Sequence, residues 1–321
     1  MVDPAATGRR PTDWQQLEVP HSWSDFMNMV VETSTTGWVF RGQADSDYPL
    51  VTSLERALSD VPRGAWGDRE DSAIDFFRSR AMSVLSETPH VDDYLGWLAF
   101  MQHYQAPTRL LDWSESPYVA AYFAYAEMRQ SDPPDFVSVW ALSARALRSA
   151  FARDDVAPTA LEYLYSDDPR DIDYPTYDDP ADGPPWPPLA RESAMHALEN
   201  AFLRYCRHEQ VSVPFPTRPP AFDQRMLSQR AIFTFDGALN GGIPYPLADP
   251  FGSGLGDVVL RIDLNSAWRE EALMSLAAMG LGADTLFPGM DGIGKATQVQ
   301  LKVGAPTVRD VLRGARLTRT Q

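Results

Sequence analysis

Residues 100–126, FMQHYQAPTRLLDWSESPYVAAYFAYA, leave this chain few choices of local fold. Pro107 disfavours helix at the residue before it, so any helix entering the stretch ends there. Leu110 and Leu111 give a short apolar run suited to a buried strand. Ser116 offers an N-cap oxygen, and Pro117 sits where a first-turn N–H needs no partner. Val119, Ala120, Phe123 and Ala124 then repeat at helical spacing. Arg109, Asp112, Trp113 and Ser114 fall at the strand-to-helix junction, where outward backbone N–H groups favour anions.

The rest of the chain alternates between the two periodicities. Phe26, Met27, Met29 and Val30 mark an early helix. Trp38, Val39 and Phe40 read as a buried strand that ends at Arg41. Gly42 beside it permits positive φ or the close approach of a ligand. Helices are expected over 68–86, with Ile74, Phe77, Ala81 and Leu85 inward, and over 91–104, with His103 near the end. Further strands are expected over 136–142, 226–235 (around Gln229) and 258–264, and further helices over 192–206 and 268–279, the last closed by Gly280. This order predicts one α+β domain over 20–321. It would have a central, mostly antiparallel sheet and a helical cap from about 60–105 and 145–210. Residues 1–19 are expected to be a flexible tail. Residues 165–190 hold seven aspartates and seven prolines, which predicts an acidic surface insertion.

Charge and composition remove several function classes. A net charge of −16 argues against non-specific nucleic-acid binding, which needs positive charge to displace counterions. A single cysteine, Cys206, excludes an intrachain disulfide and suits a reducing cytoplasm. The start lacks a signal-peptide core, and no apolar run reaches the roughly 18 residues of a membrane span. Five histidines and one cysteine lack ligand spacing, so no metal is expected. Neither a phosphate-binding Gly-rich loop nor a GxSxG elbow is present.

Four motifs carry a family resemblance. Residues 102–117, QHYQAPTRLLDWSESP, resemble the signature of the FRG domain family, QHYG-PTRLLDWT-x-SP. Phe40, Arg41, Gly42 and Gln43 match the motif near the start of that domain. Residues 225–233, RMLSQRAIF, and 285–292, TLFPGMDG, resemble two later family patterns. The chain departs from the family at Gln105, where glycine is usual, and at Arg230-Ala231, where Gln-Gly is usual. Proteins with this domain occur in bacteria and phages, so the resemblance suggests a toxin or anti-phage setting.

A second resemblance is one of order. Arg41-Gly42 is similar to the first-strand arginine of the ADP-ribosyltransferase fold. Asp112-Trp113-Ser114, followed by Val119-Ala120 and Phe123-Ala124, is similar to its second element, and Gln229 falls where its catalytic glutamate would be. This resemblance implies NAD as substrate, and either ADP-ribose transfer to an unknown macromolecular acceptor or NAD hydrolysis. It implies Arg41, His103, Asp112 and Gln229 as catalytic candidates. Arg41, Gly42, Gln43, Tyr104, Arg109, Trp113 and Ser114 become candidates for holding the nucleotide. An arginine fork suits a pyrophosphate, and Trp113 or Tyr104 suits stacking. Gln229 cannot ionise and cannot be a general base, so Asp112 or Glu115 would supply the carboxylate. His103 and Asp112 form a possible acid–base couple, while Arg109 and Asp112 form a possible ion pair that fixes the turn. Two other readings stand beside the enzyme. One is a non-catalytic module for a nucleotide or nucleic-acid end, gripping anions with Arg41, Arg109 and Arg230. The other is a protein that binds a partner through its acidic loop.

Overall fold

A computed structural model describes residues 16–33, 37–144, 200, 202–208, 210, 215–217, 224–239 and 259–303. The acidic insertion at 165–190, and most of the cap segment 145–210, lie outside the described residues.

Seven strands form one mixed sheet. They are β1 (Gln16–Glu18), β2 (Trp38–Gln43), β3 (Leu110–Ser114), β4 (Phe136–Ser143), β5 (Phe215–Thr217), β6 (Ala231–Phe235) and β7 (Val259–Asn265). Their order across the sheet is β1-β7-β4-β2-β3-β6-β5. Only β1 and β7 run parallel; every other neighbouring pair is antiparallel. Residues 16–18 therefore belong to the sheet, although the sequence places them in the tail. Their apolar content is too low to announce a strand; backbone pairing with β7 makes one.

The helices are α1 (Trp23–Thr33), α2 (Ser53–Ala57), α3 (Trp66–Val84), α4 (Tyr94–His103) and α5 (Pro117–Ala126), then α6 (Gln224–Ser228), α7 (Arg269–Ala278), α8 (Ala283–Leu286) and α9 (Met290–Val303). A further helical segment covers 202–208. The α5 start follows its sequence: Ser116 Oγ accepts the Val119 N–H and Pro117 occupies the first turn. Asp93 caps α4 in the same way through the Gly96 N–H. Gly280, past the end of α7, has φ of 78°, where a side chain would be strained.

Alternation along β4 divides the core. Val137, Val139 and Ala141 pack with α1, α5 and α7, where Phe26, Val30, Tyr125 and Leu276 are buried. Trp140 and Leu142 pack with Val39, Leu111, Trp113 and Ile232. A third cluster joins α4 to β6 through Leu95, Leu98, Leu110, Phe233 and Phe235, and encloses Cys206. Helix α3 contributes less than its spacing suggests. Ile74 is buried, whereas Leu85 is exposed and lies beyond the helix end.

Pairing across the centre of the sheet is uneven. Strands β2 and β4 pair along six positions, but β2 and β3 pair only at Phe40↔Ser114. Beyond that point a side chain replaces the backbone ladder. Arg41 Nη1 donates to the Asp112 carbonyl at 2.7 Å.

Candidate functional site

A cavity of about 420 Å³ opens where β2 and β3 stop pairing. Its volume lies within the range usual for small-molecule sites, roughly 300–1,000 Å³. Phe40, Trp113, Phe123 and Phe233 supply aromatic wall, and Arg41, Asp112, Glu127, Arg225 and Gln229 supply polar groups.

Arg41 is the most constrained of these. Its side chain is 21% exposed, and its Nη1 lies 3.8 Å from Asp112 Oδ2. Its Nε is buried without a hydrogen-bond partner among the described residues. A guanidinium N–H left unpaired in a protein interior is costly, and such exceptions mark strain or a ligand position. Burial lowers the Arg41 pKa from its usual value, and Asp112 opposes that shift. Arginine remains a cation regardless.

Asp112 is held from two sides. Gln102 Nε2 donates to its Oδ2 at 2.9 Å, and Thr108 Oγ1 in turn donates to Gln102 Oε1. Pro107 therefore does more than end α4: the turn after it fixes Gln102 and, through it, Asp112. Gln229 lies in the turn between α6 and β6, rather than on the strand expected from sequence. Its carbonyl accepts from Ser114 Oγ at 2.7 Å, and its Nε2 donates to the Leu286 carbonyl at 3.0 Å. The turn needs a left-handed residue, and Arg230 supplies it with φ of 48°. Gln105, beside the cavity, is likewise left-handed with φ of 62°. Both are positions where the FRG pattern carries or adjoins glycine.

His103 also lines the cavity, with its ring edge-on to Tyr104 at 4.7 Å. The Asp112 carboxylate is engaged by Gln102 and faces Arg41. Trp113 lines the wall, and its indole N–H donates to Thr234 Oγ1, which fixes the ring as core.

Gly42 lines the cavity as well, whereas Gln43, Tyr104 and Arg109 do not. Gly42 is required by helix packing: a Cβ there would stand 1.9 Å from the Ala120 carbonyl oxygen and 2.8 Å from Ala124 N. Helix α5 makes a close approach to Gly42. Gln43 is buried outside the cavity, donating to the Pro49 carbonyl and accepting from Trp140 Nε1. Tyr104 is exposed and packs on Phe100 and Phe77 rather than on the cavity wall. Arg109 is buried elsewhere. Its Nε and Nη2 fork onto Glu70, and its Nη1 donates to the carbonyls of Asp236 and Gly237. The partner that fixes the turn is thus Glu70, not Asp112. An aspartate three residues away is a tempting partner on paper, but the strand aims the two side chains apart.

Three cavity groups were not anticipated. Gln102 precedes the motif histidine, Glu127 caps the end of α5, and Arg225 begins the RMLSQ motif. Glu127 was legible in principle, since Ala120, Phe123 and Glu127 share one helical face. Arg225 stacks over Phe287 at 4.9 Å, and Lys295 Nζ lies 3.8 Å from the same ring centroid. Among the described residues, no group of three His, Cys, Asp or Glu side chains is placed to hold a metal. No helix among them is long and apolar enough to cross a membrane.

The class defined by this geometry is a mixed-sheet α/β domain with a polar cavity at a break in its central ladder. Residues 36–133 match the family model of the FRG domain, and the chain carries that domain. The matched span contains Arg41, Gln102, Asp112 and Glu127, whereas Arg225 and Gln229 lie beyond it. No curated protein and no solved structure matches the chain.

Proposed function

We propose that the cavity binds NAD and cleaves its nicotinamide–ribose bond, in the manner of an ADP-ribosyltransferase. One observation carries the reading. Strands β2 and β3, and the turn that leads into their neighbour β6, bring Arg41, Asp112 and Gln229, far apart in sequence, to a single cavity at the point where β2 and β3 part. That is the order of elements on which the sequence resemblance rests.

Each group has a task in this reading. Arg41, which lines the cavity, stays partly exposed and gives only Nη1 to the Asp112 carbonyl, suits a phosphate oxygen. The aromatic walls suit a nicotinamide or adenine ring. Breaking the bond builds oxocarbenium-like charge on the ribose, and a carboxylate fixed nearby stabilises it. Gln102 and Arg41 hold Asp112 ready for that role. Gln229, its Nε2 engaged by Leu286, keeps an oxygen for a ribose hydroxyl.

A second reading is favoured by one residue. Gln229 cannot ionise, so the same cavity suits a module that grips a nucleotide without turning it over, through Arg41 and Arg225. Calorimetric titration with NAD, followed by an assay for released nicotinamide, separates the two. Binding with release supports the enzyme, and binding without release supports the module. Absence of binding rejects NAD as the ligand.

A further inference from the structure

We propose that Glu127 is the carboxylate that takes the acceptor's proton when this cavity cleaves the glycosidic bond. The proposal rests on the reading of the cavity as an NAD site. It answers what that reading leaves open: which group acts as base when glutamine occupies the usual carboxylate position.

Two carboxylates line the cavity, and their circumstances differ. Asp112 Oδ2 accepts from Gln102 and lies 3.8 Å from Arg41 Nη1, so that carboxylate is already tied to two partners. Among the described residues, the Glu127 carboxylate takes no hydrogen bond and no ion pair. Glu115, the other sequence candidate, does not line the cavity.

Glu127 is also placed on a rigid support. It caps α5, which is pinned to β2 by the Gly42–Ala120 contact. Its backbone N–H bonds the Phe123 carbonyl at 3.1 Å, and Phe123 itself forms cavity wall. Glu127 lines the cavity yet is exposed to solvent, and the protein packed around it raises its pKa by desolvation. Arg41, Lys295 and Arg225 partly offset that rise, and Asp112 adds to it. The charged groups around it are thus Arg41 from β2, Asp112 from β3, Arg225 from α6 and Lys295 from α9, with His103 from α4 also on the cavity wall. A base whose pKa moves toward neutrality is a better proton acceptor than an ordinary glutamate.

The step balances without a further reagent. The ribose C1′–N bond breaks, and its electron pair leaves with nicotinamide, which loses its positive charge. The oxygen of water or of an acceptor hydroxyl bonds to C1′. Its proton passes to Glu127 and from there to solvent at the mouth.

The test compares wild type with Glu127→Gln and Glu127→Asp. NAD affinity is read by calorimetry, nicotinamide release by its pH–rate profile, and folding by thermal melting. We expect Glu127→Gln to bind NAD within about threefold of wild type and melt normally. Its release rate should fall about 100-fold or more, the usual contribution of a general base, and lose the acidic limb of the profile. Glu127→Asp should keep that limb and part of the rate. Unchanged release by Glu127→Gln overturns the proposal and leaves the NAD reading intact. Wild-type protein that binds NAD without releasing nicotinamide overturns the proposal together with the cleavage reading and leaves only the nucleotide-binding module. Wild-type protein that does not bind NAD removes the parent reading and this one with it.

Discussion

Arg41 and Arg109 are chemically identical and do opposite work. Arg109 is saturated, with Glu70 on its fork and two backbone carbonyls on Nη1. Arg41 makes one bond to the Asp112 carbonyl and leaves its Nε unsatisfied. Arg109→Met should therefore destabilise the fold by about 3–5 kcal/mol, the usual cost of breaking a buried pair. Arg207, whose Nε lies 3.0 Å from Glu70, holds that loss toward the lower end. Urea denaturation checks it, and no change would mean that Glu70 relaxes into solvent. Arg41→Ala should leave folding intact. If two charge-assisted bonds to phosphate vanish, at roughly 1.5–3 kcal/mol each, NAD affinity should drop about 100-fold or more. Arg41→Lys should recover little, because an ammonium lacks the bidentate fork. Calorimetry on a melted-and-checked pair of variants decides, and normal binding by Arg41→Ala removes it as the phosphate anchor. The sequence marked both arginines as candidates, since both stand in family motifs. It could not separate them, because the difference lies in Glu70, 39 positions before Arg109 and on another element.

The start of helix α5 was legible to the residue, because Ser116 and Pro117 fix it, and apolar periodicity fixes its face; its end at Ala126 falls short of the roughly 117–129 that the periodicity suggests. Strands β4 and β7 were equally plain, whereas β2, expected to end at Arg41, runs on to Gln43 because Gly42 and Gln43 pair with Val139 and Ser138 of β4. Gln229 was misplaced for an opposite reason. RMLSQRAIF is apolar enough to read as one strand, yet only Ala231–Phe235 pairs with β3, and the first half is a short helix. Arg230 makes the break by adopting a conformation seldom seen outside glycine and asparagine, which no propensity announces. The sequence reserves Gly42 for positive φ or the close approach of a ligand, and does not show that α5 also packs against it. Gly42→Ala must push α5 off β2, since the new Cβ meets backbone rather than a flexible side chain. Overpacking of this kind typically costs about 1–3 kcal/mol and sometimes more. Thermal melting should fall by several degrees, and the cavity wall should shift with the displaced Phe123 and Glu127. A variant melting at the wild-type temperature would show that the two elements separate freely.

At the scale of the molecule, an acidic chain of net charge −16 gathers Arg41, Arg225 and Lys295 around one opening. Charge counts along the sequence cannot reveal this, because the three come from β2, α6 and α9. The same is true of its response to acid, which depends on which carboxylates the fold buries. Asp236 is 5% exposed, in the loop that carries the carbonyls bonded by Arg109. Burial raises its pKa from 3.8 to about 6, although the Ala238 N–H donates to its Oδ1 at 3.0 Å. A folded-state value above the unfolded one means that the folded chain holds a proton the unfolded chain has already lost. Stability from this group is therefore complete below about pH 4 and declines as pH rises to about 6. At neutral pH the buried charge costs on the order of 3 kcal/mol, at 1.36 kcal/mol per pKa unit. Asp236→Asn keeps the acceptor oxygen for Ala238 and removes the charge. It should raise stability by about 1–3 kcal/mol at pH 7.5, by less at pH 5.5, and by almost nothing at pH 4. Urea denaturation of both proteins at the three pH values measures this directly. A gain of the same size at every pH would mean that the asparagine helps by packing alone, and that Asp236 does not titrate between those limits.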